Sequence, residues 1–88
     1  MSGVDDQEVI FPKLDQDMTE GTLARWLVKV GSLVEMGEPL AEMESDKVVA
    51  QIEAPCYGRV TALAVPEGSS VAVGTTIATI HALGKAVS

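Results

Sequence analysis

The sequence predicts an all-β domain of about eight short strands, arranged as two sheets or a flattened barrel with pseudo-twofold symmetry. The chain has 88 residues, which is enough for one small domain. Apolar residues make up 47% of the chain and aromatic residues only 3%, so the core must consist mainly of Val, Leu, Ile, Ala and Met. Short runs of apolar and β-branched residues alternate with turn signals, and no run has a helical period flanked by caps.

An internal repeat predicts the pseudo-twofold symmetry. Residues 21–43 align with residues 58–80 at an offset of 37 positions, without a gap. Apolar positions coincide along this alignment, and so do three pairs of glycines: Gly21 with Gly58, Gly31 with Gly68 and Gly37 with Gly74. Two copies are too few for a solenoid, which needs three or more. We therefore expect two similar halves that pack face to face.

Seven runs are the predicted strands. In chain order they are Glu8–Phe11, Thr22–Val30, Leu40–Glu44, Val48–Ala54, Arg59–Val65, Ser70–Val73 and Thr76–Ile80. The apolar spacing in Thr22–Val30 steps by three and then by two, which predicts a bulge or bend in that strand. In Val48–Ala54 every second residue from Val48 onward is apolar, which predicts one buried face.

Charge and hydropathy exclude two classes of partner. The formal net charge is −7 and the sequence pI is about 4.4, whereas nucleic-acid binding needs a basic surface, so we expect no nucleic-acid partner. No apolar run approaches the roughly 20 residues that span a bilayer, and we expect no membrane association. The opening residues, "MSGVDDQEV", are acidic and polar, unlike a signal peptide.

The chain offers little for metal or thiol chemistry. Its single cysteine, Cys56, cannot form an internal disulfide, so the domain must be held together by packing, as suits a reducing compartment. One cysteine and one histidine, His81, do not make a metal site. We expect Cys56 to be a small residue beside a turn, and we predict neither a metal centre nor a catalytic residue.

Lys47 is singled out by its position in the chain. Only Ser45, Asp46 and Lys47 separate two predicted strands, which leaves room for nothing but a tight hairpin. The Asp46 carboxylate is expected to accept backbone N–H groups in the turn, while Lys47 projects its ammonium into water. Such a lysine is often only a solubilising charge. This hairpin, however, joins the two halves, so its tip should lie at one extreme of the body and both chain termini near the other.

The residues around Lys47 resemble a known family. The stretch "GTLARWLVKVGSLVEMGEPLAEMESDKV", followed by "APCYGRV" and "VAVG", is similar to lipoyl domains of the dihydrolipoamide acyltransferase (E2) components of 2-oxo acid dehydrogenase complexes. The similarity runs from about Val9 to Ile80 and includes the opening "FPKLDQDMTEG". It implies a sandwich of two four-stranded antiparallel sheets, with lipoate bound covalently to Lys47. The related biotinyl domains carry Met-Lys-Met at this turn, which Asp46 and Val48 do not match.

The resemblance also implies a non-catalytic carrier function. The lipoyl arm on Lys47 would take an acyl group and electrons from the decarboxylase (E1), pass the acyl group to coenzyme A at the E2 catalytic core, and be reoxidised by dihydrolipoyl dehydrogenase (E3). A lipoate ligase or lipoyl transferase would attach the arm and read the residues beside the lysine: Glu44, Ser45, Asp46 and Val48. The loop after the first strand is the expected decarboxylase contact: Asp15, Gln16, Asp17, Met18 and Thr19.

The domain organisation follows from the extent of the resemblance. We expect residues 1–7 to be disordered, residues 8–81 to form a monomeric lipoyl domain, and residues 82–88 to begin a flexible linker or a tail. The compartment would be the prokaryotic cytoplasm, or the mitochondrial matrix if a transit peptide has been removed. Two alternatives stay open. The chain could be the lipoyl module of another enzyme, fused to E3 or in an acetoin dehydrogenase complex, or an unmodified interaction domain of the same fold.

Overall fold

The computed structural model describes residues 6–83, and they form eight strands. In chain order the strands are β1 (Asp6–Ile10), β2 (Glu20–Trp26), β3 (Leu33–Val34), β4 (Pro39–Glu44), β5 (Val49–Glu53), β6 (Gly58–Leu63), β7 (Ser69–Ala72) and β8 (Thr76–Ala82). Two four-stranded antiparallel sheets result, with the strand orders β1-β8-β6-β3 and β5-β4-β2-β7. The predicted fold class is confirmed. No helix that could cross a membrane occurs among residues 6–83.

The internal repeat is a symmetry of the fold. Adding 37 to the residue numbers places β2, β3 and β4 on β6, β7 and β8, and each half contributes its short strand, β3 or β7, to the sheet of the other half. The backbone bonds repeat in the same way. The Gly31 N–H donates to the Val60 carbonyl at 2.8 Å, and the Gly68 N–H donates to the Leu23 carbonyl at 2.7 Å. The expected packing of two similar halves is therefore present, and it is strengthened by this exchange of strands.

The core is filled by the inward face of each sheet. Phe11 is the one aromatic side chain that is fully buried among the described residues, and the rest of the core consists of aliphatic residues and methionine. The predicted alternation in β5 is confirmed, because Ile52 is buried while Val49, Gln51 and Glu53 are exposed. Full burial of one such aliphatic side chain contributes about 1.5–3 kcal/mol, so the core holds the two sheets together.

The first long strand is shorter than its apolar run. The run Thr22–Val30 predicts a strand to Val30, but β2 ends at Trp26, because the chain then turns and the Leu27 N–H donates to the Leu40 carbonyl at 2.8 Å. The predicted bulge is present, since the pairing of β2 with β4 shifts its register between Leu23 and Arg25.

The described ends of the chain lie side by side at one end of β1. Asp6 pairs with His81, and the His81 Nδ1 atom lies 3.1 Å from the Asp6 carboxylate. Of the expected terminal segments 1–7 and 82–88, residues 6, 7 and 82 belong to strands, while residues 1–5 and 84–88 lie outside the described residues. The opposite end of β1 leads into residues 11–19, which pass beside the hairpin that carries Lys47.

Candidate functional site

The hairpin between β4 and β5 presents Lys47 to water. The Ser45 N–H donates to the Val48 carbonyl at 2.8 Å, and the two residues between them, Asp46 and Lys47, are both exposed at the tip. The Lys47 ammonium makes no hydrogen bond or ion pair with any residue from 6 to 83. The hairpin that the sequence predicts is present, and it holds a free amine at its tip.

The side chain that holds this turn is Ser45. The Ser45 Oγ atom accepts the Val48 N–H at 3.3 Å and donates to the Val48 carbonyl at 3.4 Å. The Asp46 carboxylate makes no hydrogen bond within the described part of the chain, so the expectation that it accepts backbone N–H groups in the turn is wrong. A serine hydroxyl has the reach to bond the backbone three residues on, and here it replaces the aspartate in that role.

An open acidic groove lies beside the hairpin. The loop before β2, the start of β2, the hairpin and Ser70 of β7 line this groove, so segments that are distant in the sequence come together there. The lining includes Lys47 and five carboxylate side chains, which belong to Asp15, Asp17, Glu20, Glu44 and Asp46. A concave surface with one dominant sign of charge focuses the field and attracts a partner of opposite charge. The groove therefore suits a basic docking face.

Local bonds hold the loop on the far side of the groove. The Asp17 N–H donates to Asp15 Oδ1 at 2.9 Å, and the Met18 N–H donates to the Asp15 carbonyl at 3.2 Å. Gln16, Asp17 and Thr19 are exposed and Asp15 is half-buried, so these four residues are accessible to a partner. Gln16 does not line the groove.

Met18 corrects the expectation for this loop. Its side chain is buried, and its sulfur accepts the Leu14 N–H at 3.3 Å. A buried thioether fills a gap in the core and leaves little surface for another protein. Met18 therefore anchors the loop to the body and offers a partner only a small part of the groove lining.

The four expected recognition residues flank Lys47 with different exposure. Glu44 and Asp46 are exposed, while Ser45 and Val48 are half-buried. The sequence analysis missed an exposed neighbour, Val49, which pairs with Glu44 and has 72% of its surface exposed. The alternation in β5 already puts Val49 on the solvent face and could have identified it.

Two hydroxyl residues in the groove were also missed. Thr22 of β2 pairs with Ser70 of β7, and both line the groove beside the hairpin. Ser70 comes from the second half of the chain, so only the exchange of strands between the halves brings it near Lys47. No local sequence pattern indicates such a contact.

Cys56 lies apart from this groove. The residue is half-buried, and burial raises the pKa of its thiol. A raised pKa keeps the thiol protonated and therefore a poor nucleophile at neutral pH. No cluster of His, Cys, Asp or Glu that could hold a metal ion occurs in the range 6–83.

Comparison with known proteins gives a family match over most of the chain. A family model described as "Biotin-requiring enzyme", which covers biotin and lipoyl attachment domains, matches residues 7–80. Among solved structures, the lipoyl domain of the 2-oxoglutarate dehydrogenase complex from Azotobacter vinelandii has a TM-score of 0.65 and 26% identity to this chain. The superposition covers 82% of this chain and 94% of that domain.

Curated relatives are larger proteins. The chain is 48% identical over 82 residues to the dihydrolipoyllysine-residue acetyltransferase component of the pyruvate dehydrogenase complex of Zymomonas mobilis. It is 36% identical over 74 residues to the dihydrolipoyllysine-residue succinyltransferase component of the 2-oxoglutarate dehydrogenase complex of Rickettsia typhi. The alignments cover 92% and 84% of this chain. They cover only 19% of either relative, so the chain spans about a fifth of their length.

Proposed function

Because the chain belongs to the family of biotin and lipoyl attachment domains, we propose that it is a lipoyl carrier whose prosthetic arm is bound to Lys47. The observation that carries this proposal is the exposed amine at the tip of the β4–β5 hairpin, which has no partner among residues 6–83. A modifying enzyme can reach such an amine without first breaking an ion pair. The exposed Asp46 before the lysine supports lipoate over biotin as the attached group.

The residues present fit an attached lipoyl group. An amide at Lys47 would form in water at an exposed tip, so no buried charge is created or lost. Amide formation removes one positive charge and takes the formal net charge from −7 to −8. The charged side chains that line the groove are then all carboxylates. When bound, the lipoyl group supplies a disulfide that accepts an acyl group together with two electrons. The domain's own side chains bind and present the arm without taking part in that chemistry.

The strands and the groove have separate tasks in this proposal. Strands β4 and β5 fix the root of the arm, because the last four residues of β4, Ala41 to Glu44, each pair with both β2 and β5. The carboxylates of the groove offer a charge pattern that a basic partner can read, which gives specificity and faster association. A flexible tether to the rest of a parent chain would hold the arm near its partners at an effective concentration on the order of millimolar.

We further propose that the parent protein is the E2 component of a 2-oxo acid dehydrogenase complex, as the two curated relatives are. The partners would then be the E1 decarboxylase, the E2 catalytic core, E3 dihydrolipoyl dehydrogenase and a lipoate ligase or lipoyl transferase. The compartment would be the prokaryotic cytoplasm or the mitochondrial matrix, where these partners would have to be present.

Acyl transfer onto the lipoylated domain tests this function. The domain is incubated with decarboxylases for pyruvate, 2-oxoglutarate and branched-chain 2-oxo acids, each with its substrate, and acylation is followed by mass spectrometry. We expect one decarboxylase to acylate the domain far faster than the others, and the acyl group acquired identifies the complex. Domain without lipoate is the control. Failure of all three decarboxylases to acylate the lipoylated domain would contradict the proposal that it serves a 2-oxo acid dehydrogenase complex.

A further inference from the structure

We propose that Ser45 is a positioning residue for Lys47: its hydroxyl closes the hairpin turn and thereby fixes how the amine is presented to the modifying enzyme. This role rests on the proposed attachment at Lys47. It differs from the expectation that Ser45 is read directly by that enzyme, because here Ser45 acts through the conformation of the turn.

The hydrogen bonds of the turn carry the inference. In a two-residue hairpin, the residues on either side of the tip usually exchange two backbone hydrogen bonds. Here only one is made in the described chain, from the Ser45 N–H to the Val48 carbonyl at 2.8 Å. The Val48 N–H donates to Ser45 Oγ at 3.3 Å, so the side chain of Ser45 stands in for its own carbonyl.

The same hydroxyl also donates to the Val48 carbonyl at 3.4 Å. Both distances are longer than the usual ranges, about 2.7–3.2 Å for N–H···O and about 2.5–3.0 Å for O–H···O, so each bond is weak by itself. They act together because they join the same two half-buried residues, one on each side of the tip. Asp46 and Lys47 form no hydrogen bonds of their own within residues 6–83, so the conformation of the tip depends on this closure.

The closure matters for modification because the amine must enter an active site in one orientation. A turn that is already closed spares the enzyme the entropic cost of ordering it, and preorganisation of this kind strengthens binding. Removing the hydroxyl leaves the turn with one closing hydrogen bond. The loosened turn then allows Lys47 more orientations. The expected effect is weaker binding to the modifying enzyme, with little change in the chemical step.

Three variants test the role of the hydroxyl. Ser45→Ala removes it and Ser45→Thr keeps it. Ser32→Ala is the matched control, because the Ser32 hydroxyl accepts the Lys29 N–H at 3.0 Å in a turn that does not line the groove. For each variant, the solvent exchange of the Val48 amide proton is measured by NMR. The kcat and KM for lipoylation are measured with a lipoate ligase.

We expect Ser45→Ala to speed the exchange of the Val48 amide and to raise KM by roughly five-fold, with kcat nearly unchanged, as the loss of one hydrogen bond implies. Ser45→Thr should keep the Val48 exchange rate and KM near their wild-type values, and Ser32→Ala should change neither quantity. Unchanged Val48 exchange in Ser45→Ala would overturn the positioning role, whatever happens to KM. Faster exchange with unchanged KM would overturn the link to modification. A wild-type domain that the ligase leaves unmodified would instead refute the attachment at Lys47.

Discussion

Gly21 lies so close to Glu44 that a Cβ atom at position 21 would stand 2.7 Å from the Glu44 carbonyl oxygen. This contact joins β2 to the base of the hairpin that carries Lys47. The same contact recurs 37 residues later, where a Cβ atom on Gly58 would overlap the His81 carbonyl at the described end of the chain. The two contacts are equivalent in the fold, but only the first supports the candidate site, so they provide a matched pair of variants.

We predict that Gly21→Ala lowers the free energy of unfolding by about 2 kcal/mol, because the backbone oxygen of Glu44 cannot move away without shifting β4. Gly58→Ala should be destabilised by at least as much, and urea denaturation measures both. Among molecules that remain folded, Gly21→Ala should be lipoylated more slowly than wild type and Gly58→Ala at the wild-type rate. Equal lipoylation rates for the two folded variants would show that Gly21 does not support the hairpin.

The order of the two tip residues should decide modification. We predict that the double variant Asp46→Lys with Lys47→Asp keeps the stability of the wild type, because both residues are exposed and make no hydrogen bonds within residues 6–83. It should not be lipoylated, because its amine leaves the tip one position earlier and in another direction. The intact mass of the double variant after incubation with a lipoate ligase shows whether it is lipoylated. Normal lipoylation of the double variant would refute the dependence on tip geometry.

Trp26 joins the two halves through its indole. The Trp26 Nε1–H donates to the Val65 carbonyl at 2.8 Å, across 39 residues of sequence. We predict that Trp26→Phe lowers the free energy of unfolding by about 1 kcal/mol, because it keeps most of the packing but loses this hydrogen bond. Chemical denaturation measures the loss, and the lipoylation rate should not change. Wild-type stability of the variant would mean that the bond contributes nothing.

Cys56 should be an unreactive thiol in the folded domain. Because burial raises its pKa, we predict slower alkylation by iodoacetamide at neutral pH in the folded domain than in denaturant. The stabilising contribution of the protonated thiol is fully present below the pKa of the unfolded chain and is lost as the pH rises through the higher folded-state pKa. Alkylation rates measured with and without denaturant check the predicted difference in reactivity. Equal or faster alkylation of the folded domain would contradict it.

Most of the fold could be predicted from two features of the sequence, the internal repeat and the alternation of apolar residues. Glycines spaced alike in both halves mark equivalent turns, and Gly31 and Gly68 both have positive φ angles, of 98° and 86°, which other residues rarely adopt. The strand β3 was not predicted, because Leu33–Val34 is too short to show any period between its two turns. Its pairing partner, β6, lies in the same sheet but comes from the other half of the chain, and no local pattern encodes this exchange of strands.

The candidate site was predicted in position but not in its supporting contacts. Lys47 at a hairpin tip follows from the spacing of two strands, whereas the roles of Ser45 and Met18 depend on three-dimensional contacts. Aspartate and serine both favour turns, so the residue types alone could not decide which of Asp46 and Ser45 holds this one. Burial of Met18 likewise depends on Phe11 and Gly21 lying beside it.

The most direct test of the carrier function is the mass of the protein from cells supplied with lipoate and a lipoylating enzyme. We predict that the wild type gains about 188 Da, the mass of a lipoyl amide, on the peptide that contains Lys47. The Lys47→Arg variant should gain nothing while keeping the circular dichroism spectrum and thermal stability of the wild type. An unmodified wild type, a gain of about 226 Da from biotin, or a lipoyl group on the Lys47→Arg variant would contradict the account.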